Sequence, residues 1–227
     1  MGLGKRLFVP QGAGDLFSEA AQHFKLDNNV NAEVGPNGTN NNLTFSSSTK
    51  VFGTHSAVFN GTNADLDTNR GIQDGQTFSA WVKHGNDIGR LMTAIGGFPN
   101  YDWFSVFMRT SGSTRNLGIY WVTTTGQYRY WETNYVNAPT SLFYHIAVTF
   151  TNTTTAPDAY INGTSLTVSS AGSGGTPAAT FDWGDISFGK NYINGNTTRH
   201  TGNIDQIRIF DRVLDSTEIA TLYNESP

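Results

Sequence analysis

The C-terminal stretch Gly202–Asn224 constrains the fold more than any other part of the chain. In Gly202-Asn203-Ile204-Asp205-Gln206-Ile207-Arg208-Ile209-Phe210, Ile207 and Ile209 alternate with Gln206 and Arg208, the period of a half-buried strand. Asp205 shares the parity of the two isoleucines, which directs its carboxylate inward near the start of the strand. There it needs hydrogen bonds or a cation. Asp215 then stands as an N-cap with Glu218 at the N3 position, the spacing of a capping box. Leu214 and Ile219 occupy the positions of a hydrophobic staple, and Ile219, Leu222 and Tyr223 share one helical face. The segment is one strand and one short helix with no filler between them.

The rest of the chain agrees with β structure. Charged residues make up 14% of its 227 residues, and Asn, Thr, Ser and Gly supply the polarity instead, a turn-rich composition. Hydrophobic residues at 37% and aromatics at 13% are enough for a core. A net charge of −4 argues against nucleic-acid binding. There is no cysteine, which excludes disulfides, a zinc–thiolate cluster and a thiol nucleophile. No stretch is long enough to span a membrane, and the first ten residues carry charge without the apolar core of a signal peptide. The Asn-X-Thr/Ser triplets at Asn37, Asn60, Asn162 and Asn196 read as turns rather than glycosylation sites.

Further strands follow in order along the chain. His23-Phe24-Lys25-Leu26-Asp27-Asn28, Phe52-Gly53-Thr54-His55-Ser56-Ala57-Val58-Phe59-Asn60-Gly61 and Thr77-Phe78-Ser79-Ala80-Trp81-Val82-Lys83 are three of them. In Tyr144–Phe150, the residues Tyr144, Ile146, Val148 and Phe150 share a face. Asn162-Gly163 supplies the two positive-φ residues of a type I′ hairpin turn. Ile186–Lys190 precedes the terminal strand, and the Gly/Ser/Ala run Ser169–Ala179 reads as a flexible surface loop. From residue 23 to the end, this ordered set resembles the laminin-G-like, concanavalin A-type lectin and glucanase domains. The resemblance implies an all-β fold: a two-sheet antiparallel β-sandwich, or jelly roll, with a short C-terminal helix. Residues 22–227 would form the sandwich. Residues 1–21 would form an N-terminal arm that docks on another subunit, with one helical turn around Phe17.

Three kinds of chemistry compete on this frame. Aromatic residues crowd the middle of the chain: Tyr101, Trp103, Phe104, Tyr120, Trp121, Tyr128, Tyr130, Trp131 and Tyr135, interleaved with Asn100, Asp102, Arg109, Arg115, Arg129 and Asn134. Sugars stack their C–H faces on such rings. Both parities are aromatic in Tyr120-Trp121 and Tyr130-Trp131, so some rings lie outside the core. Trp103, Tyr120, Trp121, Tyr128, Tyr130 and Trp131 are the candidate ligand surface, for a glycan or a protein. The resemblance also implies a structural Ca2+ at the sandwich rim, with Asp27 and Asp205 as its candidate ligands and Asp65, Asp67, Asp182 and Asp185 as further carboxylates. A glycoside hydrolase would need two carboxyls flanking the bond. The paired-carboxylate motifs of hydrolases with this sandwich are missing, Glu132 stands alone, and the five histidines have no metal spacing. His145 falls on a polar strand parity and is expected at the surface.

The expectation is a non-catalytic structural and adhesion protein of a virion surface, a phage capsid decoration or tail-fibre component that also holds cell-surface glycans. A lectin-like fold without cysteine or an export signal fits a microbial or viral protein released by lysis. Its partners would be other virion subunits, bound through residues 1–21, and it would be a homo-oligomer or particle-bound. A free carbohydrate-binding lectin module is the alternative, and a glycoside hydrolase the second.

Overall fold

The structure is a computed structural model, and it describes residues 16–85, 88–95, 103–111, 114–122, 127–137, 141–175, 182–190 and 199–225. It opens with a helical turn, α1 (Leu16–Glu19), and the short strands β1 (Gln22–Phe24), β2 (Ala32–Val34), β3 (Thr39–Asn41) and β4 (Thr44–Ser46). Longer strands follow: β5 (Ser56–Asn60), β6 (Asp65–Gln73), β7 (Gln76–His84), β8 (Ile88–Ile95), β9 (Trp103–Ser111), β10 (Thr114–Val122) and β11 (Tyr128–Thr133). The second half holds β12 (Val136–Asn137), β13 (Tyr144–Phe150), β14 (Asp158–Ile161), β15 (Thr164–Ser165), β16 (Val168–Gly174), β17 (Asp182–Phe188), β18 (Thr201–Phe210) and α2 (Ser216–Tyr223).

Among the described residues these strands form two antiparallel sheets. The first runs β15-β14-β13-β7-β18-β1-β2, with β5 pairing β18 and β4 pairing β5. The second runs β16-β11-β10-β9-β8-β17-β6-β3, with β12 beside β10. The principal core lies between them: Tyr144, Ile146, Val148 and Phe150 from the first sheet face Leu91, Met92, Phe104, Val106 and Ile119 from the second. The jelly-roll sandwich expected from the strand pattern is therefore the fold. Asn162 and Gly163 have φ of 51° and 71°, as a type I′ turn requires.

The terminal segment also folds as its sequence dictates, with one exception. Asp215 accepts hydrogen bonds from the Thr217 and Glu218 amides at 2.8 and 2.9 Å, and Glu218 returns one from the Asp215 N–H at 2.9 Å. Leu214, Ile219 and Leu222 then bury against Phe210, Ala147 and Tyr160 on the outer face of the first sheet. The exception is Asp205. Gln206 takes a left-handed φ of 52° and the register shifts between Asp205 and Arg208, so a bulge reverses the parity. Asp205 pairs with Trp81, on the outer side of the sheet, while Ile204 and Ile207 both face the core.

Three further expectations change. His145 is fully buried, because α2 covers the face that its polar parity had placed in solvent, and Tyr223 packs near its ring. The run after Ser169 is a strand as far as Gly174, paired with β11; residues 176–179 lie outside the described set. Residues 52–55 are a loop, and the strand begins at Ser56. Of the N-terminal arm, residues 1–15 and the Phe17 side chain lie outside the described residues, whereas Leu16 and Ala20 join the second core cluster and Glu19 pairs with Arg212 at 2.5 Å. No helix among the described residues is long and apolar enough to cross a membrane.

Candidate functional site

The two sheets treat their outer faces differently. Helices close the first. On the second, residues in cross-strand register form one row: Thr39, Asp67, Ser187, Thr93, Ser105, Tyr120, Tyr130 and Gly172. Directly opposed residues project to the same side, so this row is a floor of hydroxyls between carboxylates at one end and rings at the other.

The ring end is a continuous shelf. Trp103 and Tyr120 have ring centroids 4.5 Å apart, Tyr120 lies 5.7 Å from both Tyr128 and Tyr130, and Phe107 lies 6.1 Å from Tyr130. Space for these rings comes from glycines on neighbouring strands. A Cβ on Gly118 would meet the Phe107 ring at 2.3 Å, and one on Gly174 would meet Tyr128 at 2.7 Å. Trp103, Tyr120, Tyr128 and Tyr130 are each half-buried, with exposed ring surface. Two guanidiniums lie over the shelf, Arg90 on Trp103 and Phe107 and Arg109 on Phe107 and Tyr130, all within 5.2–5.6 Å of the ring centroids. Glu132 pairs with Arg109 and accepts from the Tyr130 hydroxyl. Burial and then this hydrogen bond push the Tyr130 phenol upward, and burial likewise raises Tyr120.

Trp121 and Trp131 do not belong to the shelf. They sit on the opposite parity and face the core, 0% and 6% exposed, with centroids 4.2 Å apart. The Trp121 indole N–H donates to the Thr153 carbonyl at 2.8 Å. Both are corrected to core residues, out of reach of a surface ligand, as is Phe104. Arg115 is also buried, Tyr135 and Asn134 are exposed, and Tyr101, Asn100 and Asp102 lie outside the described residues. The sequence pattern did not single out Arg90 or Phe107. Nor did it show that His84 and His200, far apart in the chain, bury together with Nδ1 atoms 3.3 Å apart.

At the other end of the row the carboxylates are neutralised. Asp65 accepts from Asn41 at 2.7 Å and pairs with Arg199 at 2.8 Å; Asp67 accepts from Asn41 and Ser187 and meets Lys190 at 3.4 Å. Five inter-strand steps of about 4.8 Å separate Asp67 on β6 from Glu132 on β11, roughly 24 Å along the sheet. Glycoside hydrolysis needs two carboxyls about 5–9.5 Å apart, and this pair is too distant to serve. Asp185 is exposed one strand nearer, and the Asp182 side chain lies outside the described residues.

Asp27 and Asp205 hold a different feature, the loop 51–55 at the sandwich rim. Asp205 accepts from the Val51 and Phe52 amides at 2.9 and 3.2 Å. Asp27 Oδ1 accepts from the Thr54 amide and hydroxyl at 2.5 and 3.1 Å and from the His55 amide at 2.9 Å. Burial raises the Asp205 carboxyl to about 6, and the charge of Asp27 adds to the shift. Burial also acts to raise Asp27, but the donors of His55 and Thr54 outweigh it and hold that carboxyl below its usual range. Neither carboxylate has a salt-bridge partner among the described residues. A cavity of about 30 Å³ between the sheets is lined by apolar groups such as Phe78, Met92 and Ile146 and is too small for a sugar.

The model of the concanavalin A-like lectin/glucanases superfamily matches residues 37–220. This chain belongs to that superfamily. No curated protein matches it. Among solved structures it is similar to domain 4 of AbnA, a GH43 extracellular arabinanase from Geobacillus stearothermophilus, in complex with arabinotriose. That match has 19% identity and a TM-score of 0.65, covering 91% of this chain and 98% of that one. It is also similar to the binding domain of botulinum neurotoxin serotype G, at 16% identity and a TM-score of 0.65, with 90% of this chain matching 50% of that one. A third is the heptameric SAP-like pentraxin of Limulus polyphemus, at 14% identity and a TM-score of 0.57, with 74% and 80% covered. These likenesses show the jelly roll, which in this superfamily member carries the aromatic shelf on one outer face.

Proposed function

We propose that this protein is a non-catalytic glycan-binding adhesion module whose ligand lies across the outer face of the second sheet. The observation that carries the reading is the shelf Trp103-Tyr120-Tyr128-Tyr130, half-exposed, with Tyr120 4.5–5.7 Å from each of the other three ring centroids. Rings of this kind stack on the apolar faces of sugars, and Arg109–Glu132 supplies polar contacts at their edge. The similar arabinanase domain, in complex with arabinotriose, supports a saccharide as the class of ligand. A glycan array probed with the wild-type protein and Tyr120→Ala tests this. Binding that Tyr120→Ala abolishes supports the reading, and no glycan retained by the wild type overturns it.

The narrower reading is a virion-surface protein, a phage capsid decoration or tail-fibre component. It is supported by a lectin-like fold built without cysteine, where secreted animal modules of this shape often rely on disulfides. Mass spectrometry of purified particles against host lysate tests it, and sedimentation tests the oligomer expected of such a component. Ca2+ at the rim is a further part of the proposal. Two like-charged carboxylates with no salt-bridge partner among the described residues favour a hard cation. No group of three or more His, Cys, Asp or Glu gathers among the described residues, so such an ion would complete its shell with backbone carbonyls and water. Added Ca2+ should raise the melting temperature of the wild type but not of Asp205→Asn; no rise in the wild type removes the ion.

A further inference from the structure

Four cations among the described residues of the second sheet's outer face are not equivalent. Arg109 pairs with Glu132, Arg199 with Asp65 and Lys190 with Asp67. Among the described residues Arg90 has no carboxylate partner. Its Nη1 donates to the Ser105 hydroxyl at 2.7 Å, its Nε is buried with no hydrogen-bond partner among the described residues, and its guanidinium lies 5.4 Å from the Trp103 ring centroid and 5.2 Å from that of Phe107. It sits where the hydroxyl row meets the rings, since Ser105 is the cross-strand neighbour of Tyr120.

A half-buried charge held in that way is unfavourable unless something pairs with it. Its desolvation is visible in the guanidinium itself, whose pKa burial lowers to about 10, partly offset by Tyr120. The neighbouring Arg109 shows what the same shelf does when a carboxylate is supplied by the chain: it stacks on Phe107 and Tyr130 and is neutralised by Glu132. For Arg90 no described residue supplies that carboxylate, which leaves a ligand as its source in this proposal. The guanidinium is held on one edge by Ser105 and lies over two rings, and a planar fork matches a carboxylate better than it matches a hydroxyl.

We propose that the shelf selects acidic glycans, with Arg90 taking the carboxylate of a uronic- or sialic-type sugar whose ring stacks on Trp103 and Tyr120. This rests on the glycan-binding reading above and narrows it to a ligand class. The geometry requires the acid to lie beside a stacked ring, so a neutral sugar of the same backbone binds the rings without the charge.

The test compares matched probes on the wild-type protein: oligogalacturonides against their methyl esters, sialyllactose against lactose, and a sulfated oligosaccharide. At least one carboxylate probe should bind about ten-fold or more tightly than its neutral partner, the scale of a charge-assisted hydrogen bond, and added salt should reduce the difference. Arg90→Gln should erase the preference and keep the weak neutral binding, Arg90→Lys should recover part of it, and Tyr120→Ala should lose both. Equal binding of acidic and neutral partners overturns the role of Arg90 and leaves the shelf standing. A preference for sulfate over carboxylate overturns the carboxylate. No binding of any probe overturns the shelf and this inference together. The comparison within the wild type keeps the test decisive if an Arg90 variant folds poorly.

Discussion

Tyr120 and Trp121 are adjacent on β10, and the fold gives them opposite tasks. Replacing Trp121 with Ala removes one of the largest fully buried side chains, in ring contact with Trp131 and Phe104. Such truncations cost about 3–5 kcal/mol, and the Thr153 carbonyl also loses its donor. Taking about 4 kcal/mol, and about 2–4 °C per kcal/mol for a chain of this size, the melting temperature falls by roughly 8–16 °C. Trp121→Phe keeps most of the volume but removes the same donor, and should cost about 1–3 kcal/mol. Tyr120→Ala loses half-exposed ring contacts, about 1 kcal/mol, yet should weaken ligand binding about ten-fold or more, because a stacked aromatic is lost from the centre of the shelf. Differential scanning fluorimetry and binding, measured well below each midpoint, separate the two effects. If Trp121→Ala melts within about 2 °C of the wild type, or Tyr120→Ala is the more damaging to stability, the assignment of faces is wrong.

Gly118→Val places side-chain atoms where the Phe107 ring lies; it should cost about 1–3 kcal/mol and lower glycan binding, read by calorimetry, and unchanged binding would show that the ring's position is immaterial. Arg208 and Glu225 form a buried contact of 2.7 Å, their side chains 1% and 9% exposed, although the atoms in contact lack hydrogen-bond alignment. Glu225→Gln should therefore destabilise by about 3 kcal/mol in urea titration, and a loss below about 0.5 kcal/mol would make the pair incidental. Burial depresses His145 to about 3 and His23 to about 4, each helped by Arg208. Their stabilisation is present above the unfolded pKa of 6.5 and is lost as pH falls towards those values. Asp205, raised to about 6, opposes with one proton between about 6 and 3.8. His200, held well below its ordinary value by burial and then by His84, acts in the same direction as the other two histidines. The net is therefore at least about 1.4 kcal/mol per pH unit, so urea stability in chelator should drop by at least about 3 kcal/mol from pH 6 to 4; His145→Gln should reduce that slope, and a flat wild-type profile would contradict the burial.

The sandwich was legible where local pattern suffices: the capping box at Asp215, the turn at Asn162-Gly163, the core face of Tyr144–Phe150. Parity in Tyr120-Trp121 and Tyr130-Trp131 showed that one ring of each pair leaves the core, but not which. That choice depends on which face the opposite sheet covers, a fact of tertiary packing. Asp205 was misdirected because one left-handed residue, Gln206, reverses the alternation, and nothing in its identity announces a bulge. Ser169–Gly174 looked like a loop because its residues are small. They are small because Gly172 and Gly174 lie against the Tyr128 ring, a neighbour across the sheet rather than along the chain.

The same covering element explains both the error at His145 and the place of the shelf. Leu16 and Ala20 from α1, with Ile219 and Leu222 from α2, bury the outer face of the first sheet, so its polar residues pair inward: Ser79 with His145 at 2.7 Å, and Arg208 with Glu225. A face sealed in that way has no surface to offer a ligand. Among the described residues no helix covers the second sheet, so rings that its strands project outward stay half in water. Leaving that much aromatic surface exposed is unfavourable for the free protein, and glycines at 118, 172 and 174 give the rings room to lie against the sheet rather than stand off it. A shelf of half-exposed rings, beside a guanidinium with no carboxylate partner among the described residues, gains from a ligand that covers it, and this asymmetry between the faces supports the proposed recognition role of the second one.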